Sequence, residues 1–76
     1  MSFSFFATPA QRQYALGLMR KLELDDKFVT LMTLRYFKLA GLPPPIEGAS
    51  LDATLQGISP QMISALIDVL KKDVEE

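Results

Sequence analysis

The sequence has no cysteine, no histidine and no apolar run near the roughly 20 residues that a membrane-spanning helix needs. Without cysteine there is neither a disulfide nor a thiolate nucleophile. Without histidine as well, structural zinc sites and the commonest general base are excluded. The four glycines, at 17, 41, 48 and 57, stand apart, so no glycine-rich loop can cradle a phosphate. Serines 2, 4, 50, 59 and 64 have no histidine to activate them. These absences predict a protein that is not an enzyme and holds no metal and no cofactor. Residues 1–7, Met-Ser-Phe-Ser-Phe-Phe-Ala, have aromatics but no basic n-region and lead straight into a helix signal, so neither export nor insertion is expected. A cytoplasmic protein without membrane partners is the corresponding expectation.

What is present is 76 residues, 49% apolar and 22% charged, an ordinary globular composition that predicts one small domain over 1–76. A chain of this size buries only about 60% of its unfolded surface, so association with a copy or a partner would help its core. The net charge of −1 hides an uneven distribution. Residues 1–38 hold Arg12, Arg20, Lys21, Lys27, Arg35 and Lys38 against Glu23, Asp25 and Asp26. Residues 39–76 hold Lys71 and Lys72 against six acids.

The fold class read from these patterns is all-α, a compact bundle of three main helices at about 9–22, 27–40 and 60–74 with a short helical turn near 51–56. Thr8-Pro9-Ala10-Gln11 spells a capping box with proline at N1. On the first helix wheel, Tyr14, Ala15, Leu18, Met19 and Leu22 share the apolar arc. Asp25 and Asp26 offer caps for the second helix, a better use for them and for Glu23 than a hard-cation site. Gly41 and the prolines at 43–45 end that helix and begin a stiff connector over 41–50, read as a spacer rather than a proline-recognition motif. Ser50 caps the short turn. Ser59-Pro60 opens the last helix, whose stripe is Met62, Ile63, Leu66, Ile67, Leu70 and Val74, with Asp68 expected to pair with Lys71 or Lys72.

The second helix carries two apolar sets. Phe28, Val29, Met32, Tyr36, Leu39 and Ala40 cluster as the expected core face, while Leu31, Leu34 and Phe37 point elsewhere, among Lys27, Arg35 and Lys38. Such a helix is either the most buried element or keeps a face for a partner. The surplus set and Phe3, Phe5 and Phe6 of the aromatic arm over 1–7 admit two readings: the arm folds back over the second helix and closes the core, or these residues form a protein interface, either with a host complex or in a homodimer. The alternative is a nucleic-acid surface formed by Arg12, Arg20, Lys21, Lys27, Arg35 and Lys38, should the basic stripes of the first two helices lie side by side. A self-associating structural protein is the third expectation.

Two segments, 8–22 and 58–72, bear on origin. Thr8, Gln11, Tyr14, Leu18, Lys21 and Leu22, then Ser59, Ser64, Leu66, Ile67, Asp68, Leu70 and Lys71, give a pattern that resembles a small helical module of bacteriophage and mobile-element proteins, also appended to bacterial DNA-processing proteins. The match covers about 30 residues and largely restates capping and amphipathicity. The module joins its two helices by a short connector, whereas here residues 23–57 insert a helix and a proline spacer. The resemblance implies a phage-like origin and a non-enzymatic accessory role near DNA-processing machinery. A phage-encoded inhibitor of a host defence or DNA-processing complex would be one concrete form.

Overall fold

The computed structural model describes residues 6–75, which form an all-α bundle: α1 (Pro9–Lys21), α2 (Leu31–Leu39), α3 (Leu51–Gln56) and α4 (Pro60–Glu75). Phe3 and Phe5 lie outside the described residues. The capping box forms: the Thr8 hydroxyl accepts the Gln11 N–H, and the Thr8 N–H donates to the Gln11 side chain at 3.0 Å. Ser50 and Ser59 cap α3 and α4 by the same geometry, taking the Ala53 and Met62 N–H groups.

Both α1 and α2 end in a Schellman motif. At α1 the Glu23 N–H reaches the Arg20 carbonyl and the Leu24 N–H the Met19 carbonyl, with Glu23 itself left-handed at φ 62°. At α2 the Gly41 N–H reaches Lys38 and the Leu42 N–H reaches Phe37, with Gly41 at φ 74°. A glycine adopts that conformation freely, while a glutamate has a Cβ to crowd the following carbonyl.

The start of α2 differs from the sequence expectation. Asp25 and Asp26 do not cap it. The Asp25 carboxylate accepts the Lys27 and Phe28 N–H groups, turning the chain four residues before the helix begins. Lys27 and Val29 then bond to the returning chain at Gly48, Ala49 and Leu51, with an antiparallel bridge between Phe28 and Ser50. Thr30 caps the helix instead, in a reciprocal box with Thr33.

These changes rotate the buried face of α2. Phe28 and Val29 leave the wheel, and Thr33 enters the core fully buried because its hydroxyl is satisfied by Thr30. At 100° per residue the buried arc, Thr33, Tyr36 and Phe37, lies about 70° from the expected one. Phe28, Met32 and Leu39, expected inside, are exposed. Phe37, expected on the surplus face, is only 1% exposed.

In α1 the buried set is Ala15, Leu16, Leu18 and Met19, whereas Tyr14 is half exposed. The stripe of α4 buries Ile63, Leu66 and Leu70 completely, with Met62, Ile67 and Val74 partly covered. Helix α4 is the central element: α1 and α2 both pack on it, and α3 rests on α1. Among the described residues the ion pairs are Arg12–Asp52 and Arg20–Asp26, so Asp68 has neither expected lysine partner.

Candidate protein-docking surface

With Thr33, Tyr36 and Phe37 turned inward, Leu31, Arg35 and Lys38 of α2 face away from the core, and Leu34, at the edge of the buried arc, shares their side of the helix at i, i+3, i+4 and i+7. The Schellman turn at Gly41 then sends the chain back along this face. The result is a groove of about 470 Å³, lined by Leu31, Leu34, Arg35 and Lys38 on one side and by Leu42 and Pro44 on the other. Leu31 is 68% exposed, while Leu34 and Leu42 are partly buried against the core and form the floor.

The helix that carries this groove is held from beneath. The Tyr36 hydroxyl donates to the Asp73 carboxylate of α4 at 2.6 Å, 37 residues away in sequence. That bond to a carboxylate, together with burial, pushes the Tyr36 phenol above its usual pKa. Helix α2 is therefore tied to α4 by a polar side-chain contact as well as by the apolar core that holds Phe37.

Of the expected interface residues, Leu31 and Leu34 lie in the groove and Phe6 is exposed. Phe37 is a correction: it supports the groove from inside the core. Met32 and Leu39 extend the apolar surface along the flank of α2, with Leu39 bordering a second hollow beside Val69, Lys72 and Asp73. Both were expected on the core face beside Tyr36, whereas the buried arc lies on the other side of Tyr36, toward Thr33 and Phe37.

The six cations separate into two groups. Arg12 is largely covered, donating to the Ala7 carbonyl at 2.9 Å and lying 3.8 Å from Asp52. Arg20 is paired with Asp26, whose carboxyl is held below the usual range by that hydrogen bond. Asp25 is likewise lowered by the Phe28 and Lys27 amides it accepts. By contrast, Lys21, Lys27, Arg35 and Lys38 are exposed with no carboxylate of the described residues within 4.0 Å. Helices α1 and α2 each pack on α4 rather than extensively on each other. Lys27, Arg35 and Lys38 belong to a stretch with no acid between Asp26 and Glu47, and Asp73 of α4 reaches α2 on its inner side at Tyr36.

Fold and surface together define the class: a small all-α bundle with an apolar, cation-edged groove on a peripheral helix. No protein-family model, curated protein or solved structure matches the chain.

Proposed function

We propose that this chain is a non-catalytic protein-interaction module that docks its partner through the α2 groove. The observation that carries this reading is the groove's composition: leucines at 31, 34 and 42 left accessible beside two unpaired cations, on a helix anchored from below. Apolar surface of this kind is costly to leave in water and gains free energy when a partner covers it. An accessory or inhibitory role at a DNA-processing or defence complex, implied by the resemblance of residues 8–22 and 58–72, is the biological setting we attach to that docking.

The test is a photo-crosslinking amino acid at position 31 in the native host, with position 64 on the exposed side of α4 as control. A discrete protein crosslinked from 31 and absent from 64 is the expected result. Equal or absent crosslinking from the two positions refutes the reading. A second reading, an accessory nucleic-acid binder, draws on the four unpaired cations Lys21, Lys27, Arg35 and Lys38. It requires affinity that falls with salt by roughly 0.9 log units per phosphate contact and per log unit of salt.

A further inference from the structure

We infer that the occupant of the α2 groove is an acidic amphipathic helix of another protein, an inference that rests on the docking reading above. Charge selects the occupant's chemistry. Arg35 and Lys38 edge the groove without any carboxylate of the described residues in reach, and no acid lies between Asp26 and Glu47. A partner that places carboxylates over these two cations and aliphatic side chains over Leu31, Leu34 and Leu42 matches the surface in both respects.

The shape selects a helix. The groove runs along an i, i+3, i+4, i+7 ridge of α2, about 10 Å or two turns long, and such ridges accept the side chains of another helix. An added strand would need a free sheet edge, and the described residues form only the isolated Phe28–Ser50 bridge.

A second copy of this chain fits less well. A two-fold contact through α2 would bring a second Arg35 and Lys38 into the same interface and no acid, since α2 itself has none. The chain's own acidic segment, the end of α4, could supply Asp73 and Glu75, but Ile63, Leu66 and Leu70 of that helix are fully buried and cannot enter a groove.

The experiment titrates the full-length, ¹⁵N-labelled protein with a helix-stabilised synthetic peptide carrying two leucines and two glutamates on one face. Two control peptides move the glutamates to the opposite face or replace them with lysine. We expect amide shifts centred on Leu31, Leu34, Arg35, Lys38 and Leu42, binding at least about tenfold tighter than either control, and weakening with salt. Joint Arg35→Glu and Lys38→Glu substitution, at exposed positions whose folding is checked by the unchanged signals of Leu66 and Leu70, should cost the acidic peptide about tenfold and favour the lysine peptide.

Three results would overturn the inference. These are equal binding of the controls, tighter binding of a DNA or RNA oligonucleotide at the same amides, or broadening of those amides with protein concentration alone, which marks a second copy. Should the peptide fail while position 31 still crosslinks a protein, docking stands and the acidic-helix occupant falls. Failure of both experiments removes both.

Discussion

Helix α4 sets Ile63, Leu66 and Leu70 wholly inside the protein, whereas α2, equally rich in large apolar residues, leaves Leu31, Met32 and Leu39 in water. The two differ in their number of neighbours. Helix α4 packs against both α1 and α2, whereas α2 packs chiefly on α4. Apolar content alone therefore does not measure burial. In a chain that is 49% apolar, Leu31, Met32 and Leu39 of the peripheral helix are among the large apolar residues left exposed; Leu31 faces the groove and Leu39 borders the second hollow.

The most direct way to break this comparison is to truncate side chains on each surface. Phe37→Ala and Leu66→Ala should each lower unfolding free energy by about 2 to 5 kcal/mol, the transfer loss plus the cavity left behind. Leu31→Ala and Leu39→Ala should change it by less than about 0.5 kcal/mol, since each side chain is already mostly hydrated. Urea unfolding of the four variants measures both sets. Similar losses at 31 and 37 would mean that the outer face of α2 is covered in solution by the protein itself.

Much of this arrangement was legible in the sequence where the signals are local. Thr8 and Gln11, Ser50, and Ser59-Pro60 mark helix starts through hydrogen bonds three residues long, and the stripe of α4 follows from its period. The face of α2 was not legible. Its beginning depends on pairing between residues 27–29 and 48–51, for which no nearby residue carries a signal. Thr33 looks like a surface residue until the Thr30 box satisfies its hydroxyl. Leu31 and Leu34 were visible as a surplus, but Phe37 was grouped with them because apolar residues of the helix lie on both sides of Tyr36 and the local pattern does not say which side packs inward.

A smaller effect tests what fixes α2 to α4. Tyr36→Phe removes a hydrogen bond to a carboxylate and should cost about 1 to 2 kcal/mol. The sign of its pH dependence follows from the raised phenol pKa. A group whose folded pKa lies above the unfolded value contributes fully below the unfolded value, about 10, and loses that contribution as pH rises through the folded one. Thermal melts from about pH 7 to about pH 12 should show wild type above Tyr36→Phe at neutrality and the two converging at the alkaline end. No gap at neutrality would indicate that packing around the ring, which the variant keeps, rather than the bond to Asp73, holds the helix.

The smallest effects sharpen the comparison at the helix ends, where α1 and α2 share a motif but not its residue. Glu23 occupies the left-handed position of α1 at φ 62°, and Gly41 that of α2 at φ 74°. Gly41→Ala introduces a Cβ at positive φ and should destabilise by about 1 kcal/mol. Glu23→Gly relieves strain of about 1 kcal/mol, but the freer unfolded chain takes back part of it, leaving a gain of about 0.5 kcal/mol. Chemical denaturation resolves the opposite signs. The two sites also differ in what they hold in place. After Glu23 the chain turns toward Asp25, whereas after Gly41 it supplies Leu42 and Pro44 to the groove wall. Gly41→Ala should therefore weaken acidic-peptide binding as well as stability, while Glu23→Gly should raise stability and leave binding unchanged. Equal effects of the two variants on binding would show that the groove wall does not depend on the turn that forms it.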